Sequence, residues 1–154
     1  MIKIPLTQNK FAFIDNDDFK LISKYKWWIY YNGTCEYART RINNKEITMH
    51  RLIMSVKSNQ QIDHVNNNGL DNRKENLRIA TKSQNAMNIY KTRQHSSTYK
   101  GVGWHKQRQK WRARITLNGH EYYLGLFEVE KDAAIAYNRA AIKYFEKFAK
   151  LNEI

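Results

Sequence analysis

From Lys110 to Leu117 apolar and cationic side chains alternate, with Trp111, Ala113, Ile115 and Leu117 on one face of an extended strand and Lys110, Arg112, Arg114 and Thr116 on the other. One face is fit for a core and the other is cationic. Asn118-Gly119 carries the signal of a type I′ hairpin, which sends the chain into an antiparallel strand over 120–127. The period then changes to that of a helix over 131–148, with Ala133, Ala136, Tyr137, Ala140, Ala141, Tyr144 and Phe148 on one side. The small alanines let this helix lie close on the apolar sheet face and leave the arginine face open.

The first half is less regular. A short strand over 10–14 is closed by the turn residues Asp15-Asn16-Asp17, and Phe19, Leu21, Ile22 and Tyr25 predict a short helix over 18–25. Strands over 27–31 and 36–42 are joined around Asn32-Gly33, and Asn43-Asn44 leads into Glu46-Ile47-Thr48. Trp27, Trp28, Tyr30 and Tyr31 read as core and sheet face rather than as a base-stacking platform. Arg39 and Arg41 share a strand face, which suits either phosphate contact or plain solvation. Met49, Leu52, Ile53 and Val56 at i, i+3, i+4 and i+7 predict a helix that Thr48 can cap. His50, at its start, fits a structural or a phosphate-facing role.

Between that helix and the cationic strand lies a stretch, 62–88, crowded with carboxamides and turn formers, which is an odd composition for a core. Asp63 supplies a hard anionic oxygen of the kind magnesium or manganese prefers, and His64 beside it exchanges a proton near neutral pH. Phosphodiester hydrolysis needs both a base for water and a cation for the phosphate oxygens. Asn76 is placed to pin the segment carrying His64. Arg78-Ile79-Ala80 reads as a second short strand, and Thr81-Lys82-Ser83-Gln84 matches a capping box, which puts Asn85 in the first turn of a helix, where asparagine is also common for structural reasons.

The order Asp63-His64, Asp71-Asn72-Arg73, Glu75-Asn76-Leu77-Arg78 and Ser83-Gln84-Asn85 resembles that of HNH endonucleases, over about residues 48 to 90. The resemblance implies a ββα-metal module with His64 as general base, Asp63 and Asn85 as ligands of one Mg2+ or Mn2+ ion, and Asn76 as the structural asparagine. Asn85 in place of the commoner histidine resembles the homing branch of that family.

A second resemblance covers about residues 98 to 152. Tyr99-Lys100-Gly101-Val102, Lys110-Trp111-Arg112-Ala113, Tyr123-Leu124-Gly125 with Phe127, and the alanine pairs of the last helix look like the APETALA2 (ethylene-response-factor) DNA-binding domain. It implies that a three-stranded sheet enters the major groove, with Lys100, Trp104, Lys110, Arg112, Arg114 and Tyr122 as DNA-binding residues. Trp104 is equally suited to packing against the helix. Gly103 stands where plant members carry a contact-making arginine, so their base preference does not transfer.

Bulk properties narrow the field of partners. A length of 154 residues allows one ordinary domain or two small ones, and twenty aromatic residues help such small units bury apolar surface. A net charge of +13 points to a polyanionic partner, nucleic acid or a membrane surface, and no apolar run approaches spanning length. From Lys91 to His120 lysine and arginine are interspersed with aromatics and no acid, which favours nucleic acid. The single Cys35 excludes an internal disulfide and a CxxC zinc knuckle, so no structural zinc is expected. The N-terminus lacks a secretory apolar region, and a cytoplasmic location, in a bacterial or phage-infected cell, is expected.

The expectation is therefore an α+β chain: a β-rich segment plus HNH module over 1–90, a basic linker over 91–98, and a three-stranded antiparallel sheet packed on one helix over 99–154. The function expected is a metal-dependent DNA endonuclease of the homing type acting on double-stranded DNA, with no membrane and no protein partner implied. The rivals are a non-catalytic DNA-binding regulator on the same scaffold and, more distantly, an RNA-binding protein.

Overall fold

The computed structural model describes residues 1–88 and 96–154. The expected basic linker falls largely outside them. The chain is α+β and divides into two compact units, Met1–Thr81 and Lys82–Ile154. Among the described residues no helix is long and apolar enough to cross a membrane.

The first unit is built from small antiparallel sheets around one apolar cluster. Strands β1 (Ile2–Pro5) and β2 (Phe11–Ile14) pair with Ile2 opposite Ile14, burying Ile4, Ala12 and Ile14. After a 3-10 turn at Asn16–Asp18, helix α1 is a single turn, Phe19–Ile22, shorter than the apolar spacing predicts. Lys24 and Tyr25 follow a break at Ser23, and the Trp27 indole donates to the Ile22 carbonyl at 2.9 Å, using the end of α1 as a buried acceptor. Trp27 is therefore core, as its neighbours suggested.

Strands β3 (Trp28–Tyr31), β4 (Glu36–Ile42) and β5 (Lys45–Thr48) form a meander with β4 in the middle. Ala38 and Thr40 face inward, while Tyr37, Arg39 and Arg41 share the opposite face by alternation. On that face the Arg39 guanidinium lies 3.2 Å from the centre of the Tyr30 ring and also bonds Glu46 at 2.7 Å. Both arginines are paired with Glu46, so solvated ion pairing accounts for them without phosphate.

Helix α2 (Met49–Met54) buries Met49 and Ile53 and is stopped by Ser55, which adopts a left-handed conformation at φ 48°. Thr48 stands at its N-cap with extended backbone, but its hydroxyl caps nothing: it bonds the His50 ring instead. Strands β6 (Gln61–His64) and β7 (Leu77–Ala80) then form a two-stranded antiparallel ladder, placing Asp63 opposite Arg78 and His64 opposite Leu77. Asp63 and His64 are both buried although neighbours on a strand point to opposite faces, so the end of β6 is covered on both sides.

In the second unit, helix α3 (Lys82–Asn88) precedes a three-stranded antiparallel sheet of β8 (Val102–His105), β9 (Lys110–Leu117) and β10 (His120–Phe127), with β9 central. The β9–β10 turn has Asn118 at φ 51° and Gly119 at φ 82°, the two left-handed residues a type I′ turn requires. A bulge between Tyr123 and Gly125 shifts the register of β10. Helix α4 (Glu130–Phe145) covers one sheet face through Ala133, Ala134, Tyr137, Ala140, Ala141 and Phe145, and it ends in a 3-10 turn at Glu146–Phe148 rather than running through to Phe148. Gly101 explains how closely they meet: a Cβ there would lie 2.0 Å from the Tyr137 ring. Asn152 straps the C-terminal segment down, its side chain bonding both the Lys100 amide and the Lys100 carbonyl.

Candidate active site

The candidate site of the first unit begins with the loop between β6 and β7. Several of its carboxamides, which looked out of place in a core, are used on backbone groups. Asn66 and Asn68 accept from amides two residues on, each closing a local turn. Asn76 holds the loop from the far end: its oxygen accepts from the Asn66 amide at 2.9 Å, its nitrogen donates to the Asp71 carbonyl at 2.8 Å, and its own carbonyl accepts from Val65. The residue directly after His64 is thereby tied to the turn that leads into β7.

Three parts of the first unit that the sequence left unconnected with this loop turn out to hold it. The Phe13 amide donates to the Leu70 carbonyl and the Asn72 amide to the Phe13 carbonyl, both at 2.8 Å, so β2 pairs with the loop in parallel. Asp15 accepts from the Lys74 amide at 2.8 Å, and Asp18 pairs with the Lys74 side chain at 3.0 Å. Asp71 is clamped in two-pronged fashion by Arg73 at 2.8 and 2.7 Å, and hydrogen bonding from that guanidinium holds its carboxyl below the usual range against the opposing effect of burial. Gly69 approaches β4 so closely that a Cβ would meet the Glu36 carbonyl at 2.3 Å and the Tyr37 ring at 2.7 Å.

His64 sits in the box these elements make. Its ring lies 5.0 Å from that of His50 at an interplanar angle of 86° and 5.8 Å from that of Tyr37. Burial pushes its basicity down, with the Asn72 side chain and the charges of Asp63 and Asp71 opposing. The net effect is downward and favours the neutral imidazole, the form that can accept a proton. Burial also holds His50 down, to about 3, reinforced by the neighbouring His64 and by Arg51. His50 is half-buried beside His64, with its ring bonded by Thr48, and this favours the structural reading of it over the phosphate-facing one.

Asp63 is deeply buried and meets Arg78 across the ladder, with guanidinium nitrogens 2.5 and 2.7 Å from Oδ2. Among the described residues no group of three histidine, cysteine or acidic side chains could hold a metal ion. The donors suited to one are a hard carboxylate oxygen on Asp63 next to a buried imidazole; this chemistry fits a single hard divalent cation whose remaining positions go to water and phosphate. Asn85 lies on α3, in the second unit, and is half-buried.

The second unit separates the residues expected to face DNA into two groups. Arg112, Arg114 and Lys110 lie on the outer sheet face, joined there by His105, Arg108, Tyr123 and Leu126, of which His105, Arg108, Lys110, Arg112, Tyr123 and Leu126 line one shallow groove. Trp104 is paired with Trp111 and packs against it edge-on at 5.0 Å, on the face that carries Val102 and Ala113. Tyr122 is opposite Ile115 and stacks at 5.9 Å on Tyr144 of α4. These two rings therefore lie on the helix side rather than on the cationic one. Lys100 is elsewhere again: its ammonium donates to the Met87 carbonyl at 2.5 Å within a cavity of about 410 Å³, and burial brings its basicity down to about 8. Tyr123 could have been found from the sequence, since a two-residue Asn-Gly turn places it across from Arg114 on the same face.

Comparison with known proteins agrees with this architecture. The family model described as HNH endonuclease matches residues 55–87, which contain β6, the loop, β7 and most of α3. The chain is 32% identical over 150 residues to the uncharacterized HNH endonuclease L560 of Acanthamoeba polyphaga mimivirus, covering 94% of this chain and 75% of that protein. Protein 3.8 of Escherichia phage T7 is 34% identical over 61 residues, 40% of this chain and 50% of its own length. Over a C-terminal part, APETALA2-like protein 2 of Oryza sativa subsp. indica is 40% identical across 60 residues, 39% of this chain but 14% of that protein, which supports an APETALA2-type domain. On the extent of the viral match and the matched motif segment, the chain belongs to the HNH endonuclease family.

Proposed function

We propose that this nuclease hydrolyses phosphodiester bonds in double-stranded DNA with His64 as the general base, and that it is of the homing type. The observation that carries the proposal is the pairing of a neutral, buried imidazole with a buried carboxylate at the end of one short strand, on a loop whose backbone is tied down by Asn76. In the proposed reaction Nε2 or Nδ1 of His64 takes a proton from water as the water attacks phosphorus in line; the 3′ oxygen leaves, giving 5′-phosphate and 3′-hydroxyl ends. Asn76 acts at one remove, by fixing the loop that carries the base. Asp63 would hold a divalent cation, magnesium or manganese, with Asn85 as the second ligand that the family resemblance implies. When bound, such a cation supplies charge neutralisation at the phosphate and leaving oxygens.

The outer face of the β8–β10 sheet is proposed to grip the duplex. Lys110, Arg112 and Arg114 present cations at strand spacing, Arg108 and His105 extend the strip, and Tyr123 adds a face for stacking or backbone contact. Trp104 and Tyr122 then act by supporting the sheet from the helix side. One active site cuts one strand, so a monomer nicks.

The test is incubation of purified protein with supercoiled plasmid carrying the DNA that flanks its gene, with magnesium, with manganese and with chelator. Relaxed circles that require a cation and vanish in His64→Ala are expected, and Asp63→Ala and Asn85→Ala should each lower cation affinity. Binding without nicking under every cation would sink the catalytic reading and leave a protein that only binds DNA.

A further inference from the structure

We infer that His50 is a positioning residue for His64, holding its ring in one orientation as a side wall of the active site; the inference rests on the reading of His64 as the base. Three observations converge on it. First, Thr48 occupies an N-cap position, where a threonine hydroxyl ordinarily accepts from a helix amide, yet here its hydroxyl is 2.9 Å from His50 Nε2 and makes no cap bond. The start of α2 is thus arranged around fixing a side chain rather than around its own amides. Second, the ring so fixed meets His64 edge to face, at 5.0 Å and 86°, while Tyr37 touches both rings, at 5.5 Å from His50 and 5.8 Å from His64. Third, Tyr37 is itself held: Gly69 passes against its ring where a Cβ would come within 2.7 Å.

The physical need is specific to an imidazole base. Rotation about the bond to the ring has broad, roughly two-fold minima, and a half-turn puts ring carbons where the nitrogens stood. A base that flips presents a carbon in place of its nitrogen to water part of the time and, because each orientation gives the nitrogens different hydrogen-bond partners, mixes the two tautomers, whereas an edge-to-face wall on one side and a tilted one on the other admit one orientation. His50 also leaves a buried ring nitrogen, Nδ1, with no hydrogen-bond partner, a cost that a purely structural filler such as phenylalanine would not carry. This nitrogen is compatible with the wall role and unexplained by it, so the test includes phenylalanine.

The experiment compares His50→Ala, His50→Phe and the unsubstituted full chain by long-range proton–nitrogen spectra of the imidazole rings, recorded without metal or DNA, and by nicking kinetics. The unsubstituted protein should show His64 as one tautomer; His50→Ala should show an average of two and a kcat lowered about tenfold or more at unchanged KM for DNA. His50→Phe should restore the single tautomer and most of the kcat. If His50→Ala does not fold, Thr48→Val, which frees the His50 ring, carries the same expected averaging. A single His64 tautomer in the alanine or valine variant overturns the proposal, and so does a phenylalanine variant that recovers neither signal. Expected spectra from a protein that never nicks would instead count against the base assignment and leave the ring packing as described.

Discussion

The two units bury different things. Within 1–81 the interior contains Asp18, Thr40, Asp63, His64, Asp71, Asn72 and Asn76, whereas the described interior of 82–154 is alanines, Val102, Ile115, Tyr137 and two phenylalanines, with only Asn88 and Ser97 as buried polar residues. An apolar interior gains from every atom removed from water, while a polar one must recover each desolvated group through a hydrogen bond. The first unit meets much of that cost by using asparagines on backbone groups. The difference bears on where the proposed chemistry lies: the unit that is costly to fold holds the buried imidazole and carboxylate, and the unit with an ordinary core keeps its charge on an outer face.

The sharpest way to break this comparison is His64→Ala. Nicking should fall by roughly a hundredfold to ten-thousandfold, the usual range for a lost general base, with DNA affinity retained through the second unit; equal loss of binding would deny that the two roles are separate. Next in size is Asn76→Ala. It strips partners from the Asn66 amide and the Asp71 carbonyl, and denaturant unfolding should show a loss of about 2–3 kcal/mol in the transition of the first unit, with that of the second unmoved.

A pH titration of stability gives the third effect. The ordinary value for histidine, 6.5, applies to the unfolded chain, and folded His50 is held down to about 3. As pH falls below 6.5 the unfolded chain takes up a proton that the folded one refuses, so stability is lost progressively between those two values. Between 6.5 and about pH 5 the loss from His50 should be on the order of 2 kcal/mol, with His64 adding in the same direction, and His50→Phe should flatten the dependence. An unaltered slope in that variant would contradict the burial of a neutral His50.

The smallest effect is expected on the outer sheet face. Arg112→Ala should weaken DNA binding, reduce the salt slope by about one, and leave stability within about 0.5 kcal/mol. The same substitution style applied to Tyr122, which stacks on Tyr144, should do the reverse: a stability change with the salt slope unaltered.

Legibility followed the same division. In β9 the register of Trp111, Arg112, Ala113, Arg114 and Ile115 could be read directly, because a half-buried strand writes its two faces into a period of two. The helix behind it was visible in its alanines. In the first unit the motif residues Asp63, His64 and Asn76 stood out by type and order, but the partners that give them an environment did not. Phe13, Asp15, Tyr37 and His50 come from far along the chain or from an element predicted to serve another purpose, and none carries a periodic signal. Thr48 shows the limit well: its position predicts a cap, and only the neighbouring His50 ring explains why it is not one. Resemblance named Trp104 and Tyr122, and strand register decided that they lie on the helix side of the sheet.

By itself the amino-acid sequence determined the class of each unit, the strand faces, the hairpin turn and the order of the chemical groups, since all of these depend on neighbours within a few residues. Tertiary structure alone decided which rings wall His64, which guanidinium meets Asp63 and which carbonyls the asparagines serve. Those are encounters between segments distant along the chain, chosen by packing and by the need to satisfy every buried polar group, and local sequence carries no record of them.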